Sequence, residues 1–134
     1  MLSFEEALAR LLAAAPAVAE VESLSTRHAD RRVLAQAQTA TVDAPPLDNS
    51  AMDGYAVAVA DVPRLGACLP VTQRIPAGSV GSRLQPGSAA RIFTGAPLPA
   101  GADAVVMQEL CEHDAGAVRI NHLPRSGEHI RRAG

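Results

Sequence analysis

This chain contains no lysine and no tryptophan. All 12 of its basic residues are arginine, set against 14 carboxylates for a formal net charge of −2. Without lysine there is no Schiff-base nucleophile and no phosphate-loop lysine. A near-neutral charge with only two Phe and one Tyr argues against nucleic acid as a partner, because that recognition needs basic surface and stacking platforms. Two cysteines, Cys68 and Cys111, make no disulfide framework and are expected as reduced thiols in a cytoplasmic protein. No apolar run approaches the length of a membrane span, so no membrane insertion is expected. His28, His113, His122 and His129 lack zinc-ligand spacing; Cys111-x-His113 alone is weak. Gly78-Ser79-Val80-Gly81 is a turn without a dinucleotide fingerprint or phosphate loop around it.

What is present is small and apolar. The 134 residues suffice for one domain, or one small domain with an arm. Apolar residues make up 48% of the chain, but alanine dominates them, so each buries little area and the core should be thin. Docking to another copy or another domain would add to it. Leu11 to Ala19 is apolar and Ala17-Val18-Ala19 mimics a signal-peptide cleavage site. The acidic Glu5 and Glu6 ahead of it, and the framing Arg10 and Pro16, argue against that reading.

Ser3 and Glu6 form a capping box, and Phe4, Leu8, Leu11 and Leu12 share one helical face. A helix from about Ser3 to Ala14 follows, ended by Pro16. Val18–Leu24 alternates like a half-buried strand, Thr26–Arg32 suits a short helical turn, and Val33–Val42 reads as a second strand. From Ala44 on, Gly and Pro punctuate apolar runs at Tyr55–Ala60, Cys68–Ile75, Ala89–Thr94, Ala104–Leu110 and Ala117–Asn121, which is an all-β pattern. Glu112–Gly116 reads as a hairpin turn. Pro70, Pro76 and Pro86 mark strand edges or ends. The predicted class is α+β, mainly β: a helix-and-strand arm (1–43), a small barrel-like β domain (44–125), and a last segment (126–134).

The densest polar stretch is Pro45 to Val57. Asp48, Asn49, Ser50, Asp53 and Gly54 sit together on a proline-stiffened loop, and a rigid loop lowers the cost of gripping a ligand. A structural reading is equally open. Asn49 and Ser50 favour local side-chain to backbone bonds, Gly54 permits a turn, and Ser50 with Asp53 has capping-box spacing.

The string Asp48-Asn49-Ser50-Ala51-Met52-Asp53-Gly54-Tyr55-Ala56-Val57 resembles the signature of the molybdopterin molybdenumtransferase family, MoeA and the E domain of gephyrin. Arg91-Ile92-Phe93-Thr94-Gly95-Ala96-Pro97, with the following strand through Glu109, resembles that family's Thr-Gly-Ala-Pro segment. Ser126-Gly127-Glu128-His129-Ile130-Arg131-Arg132 resembles its next block. The three matches fall in family order and cover the amino-terminal part of a member only. One departure is Arg31, where members usually place glycine before Arg-Val-Leu-Ala; glycine suits a left-handed helix end, so Arg31 puts that turn in question.

The resemblance implies an elongated first domain from which a compact β domain is inserted, with 126–134 beginning the return. It implies that the MogA-like and carboxy-terminal β domains lie outside this chain, which is then a fragment. The implied reaction joins molybdate to the dithiolene of adenylylated molybdopterin and releases AMP, with Mg2+ involved, in a homodimer formed through the first domain. Asp53 is the first candidate for catalysis and for holding the cation; a cap acid is its structural alternative. Thr94 is the second, its hydroxyl and neighbouring N–H groups facing an anion across the turn at Gly95; an ordinary strand-to-loop turn is the alternative. Asp48, Asn49, Ser50, Gly54, Gly95, Ala96 and Glu109 would contact substrate, with turn formation or strand capping as their other reading. Arg131 and Arg132 suit either a phosphate patch or a solvated end. A non-catalytic dimerisation or scaffold module is the alternative function, with Leu8, Leu11 and Leu12 as its surface.

Overall fold

The computed structural model describes residues 2–16 and 20–134, in two compact units that divide between Thr39 and Ala40. The first unit contains helix α1 (Phe4–Ala14). Its capping box is formed: the Glu6 N–H donates to Ser3 Oγ at 3.2 Å, and the Ser3 N–H donates to Glu6 Oε2 at 2.9 Å. These bonds satisfy two donors that a helix start otherwise leaves open. No residue of α1 is buried; Phe4, Leu11 and Leu12 are 76%, 70% and 67% exposed.

The predicted helical turn is a 3-10 turn at Thr26–His28. Arg31 takes φ 59°, so the turn there does adopt the left-handed conformation that glycine would suit. The two arm strands are not formed. Ala17-Val18-Ala19, with the cleavage-like triplet, lies outside the described residues, while Glu20–Leu24 and Val33–Val42 carry no strand. Alternation prepares a strand, but a ladder needs a neighbour to accept its N–H groups, and none of the described residues pairs with these segments.

The second unit is a curled half-barrel. Strands β1 (Asn49–Ser50), β2 (Gly54–Val57), β3 (Ala67–Ile75), β4 (Ala89–Ile92), β5 (Ala104–Met107), β6 (Cys111–Asp114), β7 (Ala117–Ile120) and β8 (Ile130–Arg131) form two sheets. The larger has the order β5-β2-β4-β3-β7-β6, antiparallel except for the parallel pair β3–β4. The smaller pairs β1 with β8. The expected turn at Glu112–Gly116 is shorter than predicted. Strand β6 runs through Asp114, leaving the two-residue turn Ala115-Gly116 with φ 40° and 88°, the positive pair that tight hairpins favour.

Strands β2, β4 and β5 read as nearly unbroken apolar runs because both of their faces are covered, whereas β3 and β7 alternate between buried and exposed positions. Tyr55, Val57, Ala89, Ala104 and Val106 pack on one face with Val118 and Ile120. Ala56, Ala90, Ile92 and Val105 pack on the other with Ile75, Leu84 and Ala96. Alanine at the interior positions lets the strands and covering loops approach closely. Gly54 is the extreme case: a Cβ there would lie 2.0 Å from the Val106 carbonyl oxygen. Pro70 lies within β3 at a point where β4 has not yet begun, and Pro76 follows the last residue of β3.

Candidate functional site

Asp53 and Thr94 are in direct contact. Asp53 precedes β2 and Thr94 follows β4, and the antiparallel pairing of those strands brings Gly54 opposite Ile92. Thr94 donates its hydroxyl to Asp53 Oδ1 at 2.6 Å and its backbone N–H to the same oxygen at 2.8 Å. The Thr94 hydroxyl, then its N–H, hold the Asp53 carboxyl below its ordinary range, with the Arg91 charge adding to the effect and partial desolvation opposing it. Asp53 Oδ2 has no hydrogen bond to the described residues, so an ionised oxygen faces outward beside an exposed hydroxyl. Asp53 is therefore not a helix cap, and residues 51–53 are a bend rather than a helical turn.

Main-chain bonds hold the two loops that carry this pair. Ser50 N–H donates to Ala96 O at 2.9 Å, and Gly95 N–H donates to Ser50 O at 2.8 Å. Leu98 N–H donates to Asp48 O at 2.8 Å, and Gln108 N–H donates to Asp53 O at 3.0 Å. Thr94 and Gly95 are the central residues of a turn closed by Ala96 N–H on Phe93 O at 2.9 Å, and Gly95 has φ 81°, a conformation that costs glycine nothing. Ala96 is buried in the core.

The other predicted contacts separate by role. Ser50 is fully buried, and its hydroxyl bonds to the Met52 backbone, closing the loop on itself. Asn49 pairs with Arg131 and bridges to Pro97, and its Oδ1 is buried without a partner. Asp48 accepts from Arg132 and from the Ala133 N–H at 2.9 Å, tying the last residues to this loop. The Ala133 N–H, then Arg132, hold the Asp48 carboxyl below its ordinary range. Arg132 is thus engaged by a carboxylate rather than presented to solvent alone.

Arg91 organises the neighbouring surface, a role its residue type does not announce. It donates from Nη1 to Gly54 O at 2.8 Å and from Nη2 to Gln108 Oε1. Gln108 Nε2 in turn donates to Glu109 Oε1 at 3.3 Å, so Glu109 ends the chain of side-chain bonds that begins at Arg91. The Arg91 guanidinium carbon lies 4.5 Å from the Phe93 ring centre and 5.3 Å from that of Tyr55. Its signal in the sequence is a charge set inside the apolar run Ala89–Thr94.

Cys68 and Cys111 are unpaired, and burial pushes the Cys111 thiol up to about 11, so it is no nucleophile at neutral pH. No three His, Cys, Asp or Glu side chains among the described residues converge as a metal site. Asp53 Oδ2 is the one outward carboxylate oxygen of the pair, and these residues alone do not make a cation centre. No helix among the described residues is long and apolar enough to cross a membrane.

Residues 2–134 match the family described as the MoeA N-terminal region, domains I and II. A molybdopterin molybdenumtransferase from Nostoc sp. is 48% identical over 108 residues, 77% of this chain and 25% of that protein. One from Haemophilus influenzae is 36% identical over 136 residues, 100% of this chain and 33% of the relative. The crystal structure of a molybdopterin biosynthesis moeA protein from Pyrococcus horikoshii matches with TM-score 0.75 at 32% identity, covering 84% of this chain and 31% of that one. The chain therefore spans about a quarter to a third of the length of these relatives.

Proposed function

Because the chain belongs to the MoeA N-terminal region family, we propose that it is the amino-terminal part of a molybdenum insertase, which joins molybdate to adenylylated molybdopterin. The observation that carries this reading is the Asp53–Thr94 pair, a carboxylate held low by the Thr94 hydroxyl and N–H where strand β2 begins and strand β4 ends. In this reading Asp53 orients water at the reacting phosphate, and Thr94 holds the carboxylate's rotamer. Gly54, Gly95 and Ala96 set the loop geometry. Asp48 and Ser50 act through the scaffold, and Asn49 and Glu109 border the substrate.

The site is completed by domains beyond these residues, and the chain alone does not turn over substrate. If Mg2+ takes part, Asp53 Oδ2 supplies one ligand and the others come from substrate phosphate, water or the completing domains. We place the enzyme in the cytoplasm as a homodimer formed through its first domain. We divide it as a first domain (1–43), an inserted β domain (44–125) and a returning segment from 126.

In the full-length insertase, Asp53→Asn should lower turnover about a hundredfold or more with fold and dimer mass unchanged. Unchanged turnover would remove the catalytic role and favour the scaffold module, the reading to which the exposed Leu8, Leu11 and Leu12 lend support. The isolated chain should not hydrolyse adenylylated molybdopterin, and measurable hydrolysis by it would contradict the shared-site reading.

A further inference from the structure

Strands β3 and β4 carry a feature that the insertion chemistry above does not use. Arg74 of β3 and Arg91 of β4 are register partners in the parallel pair. Both guanidinium carbons lie over the same Phe93 ring, at 4.4 and 4.5 Å from its centre. Like charges set side by side across strands repel, so this arrangement is costly without a counter-ion. Neither arginine has a carboxylate within ion-pair distance among the described residues. Among the described residues the nearest carboxylates act on Arg91 without pairing with it: the Asp53 charge bears on it from beyond ion-pair distance, and Glu109 is reached only through Gln108.

The two arginines open onto a concavity of about 460 Å³, whose walls also include Tyr55, Thr72, Gln73 and His113. Gln73 is pinned by bonds to the Ser82 backbone at 2.9 and 3.0 Å, so that wall is fixed. Arg91 is held at Gly54 and Gln108, while Arg74 is exposed and, stacked on Phe93, keeps its N–H groups without a hydrogen-bond partner among the described residues.

We propose that this mouth is an anion site for the phosphate of a phosphomonoester. Guanidinium forks match the oxygens of a tetrahedral phosphate, and the stacking on Phe93 preorders them. The volume lies within the range of small-molecule sites and leaves room for an organic group beyond the phosphate. The inference stands on the geometry of the mouth and does not depend on the insertion reaction.

The test is a titration of this chain with inorganic phosphate and, separately, with AMP at constant ionic strength, followed by 1H–15N spectra. Saturable shifts at the Tyr55, Arg74 and Arg91 amides with either probe are expected; AMP alone binding would assign the organic group a share. Arg74→Ala should weaken binding about tenfold or more, since a charge-assisted bond is lost. Its exposure and lack of an ion pair leave the fold intact, which a thermal melt verifies. Arg64→Ala, an equal change of charge on an exposed loop residue outside the mouth, should leave affinity unchanged. Absence of saturation with both probes, or equal weakening by the two substitutions, would overturn the proposal. Asp53→Asn separates the readings: it should lower insertion by the full-length enzyme about a hundredfold or more without weakening phosphate binding here.

Discussion

The two units of this chain carry similar apolar patterns with opposite outcomes. In residues 2–39, Leu8, Leu11, Leu24 and Val33 are all exposed, Val33 at 95%. In residues 40–134, Val57, Ile92, Val105 and Val106 are at 0%. The difference is neighbours rather than composition. In the β unit every interior strand has partners on both edges, and β2 and β4 have covering groups on both faces. In the first unit α1 is secured by its own cap, a local device, and buries none of its side chains.

That contrast can be broken most severely at Gly54. A methyl group there meets backbone, which cannot swing aside, so Gly54→Ala should destabilise the β unit by about 4 kcal/mol or more, read from denaturant unfolding. An unchanged midpoint would mean that β2 and β5 are not so tightly apposed.

Acid gives a graded way to sharpen it. Asp53 and Asp48, both in the β unit, have folded pKa values depressed below the ordinary 3.8. A depressed carboxyl contributes stability that is complete above its unfolded value and is lost as pH falls through the folded one. Unfolding midpoints measured below pH 4 should therefore fall, and the fall should be shallower in an Asp48→Asn, Asp53→Asn double variant; an equally steep fall in both would remove these groups as the cause.

The smallest effect is expected in the first unit. Leu11→Ala removes an exposed side chain and should change the stability of this chain by no more than about 0.5 kcal/mol. A loss of several times that amount would show that Leu11 is covered in solution.

The central strands of the β unit were legible because burial on both faces of β2, β4 and β5 leaves apolar runs, bounded by Gly and Pro, that announce strands without any partner being known. Val33–Val42 shows the limit of the same reasoning: pattern proposes a strand, but only another strand can complete it. The residue types of the site were legible in the loop around Asp53 and in the Thr94 turn. Their contact was not, since 41 positions separate them and the β2–β4 pairing alone joins them. The Arg91–Phe93–Arg74 stack was hidden for a similar reason. Each arginine looks like an ordinary strand charge until the parallel register of β3 and β4 sets them abreast.

The loops bearing Asp53 and Thr94 are stitched through amides and carbonyls at Asp48, Ser50, Gly95 and Ala96, with few side chains taking part. Such a clasp is portable. A designer wanting a fixed carboxylate–hydroxyl couple on an unrelated half-barrel could graft the two segments as backbone, keeping the glycines and leaving most surrounding side chains open to redesign.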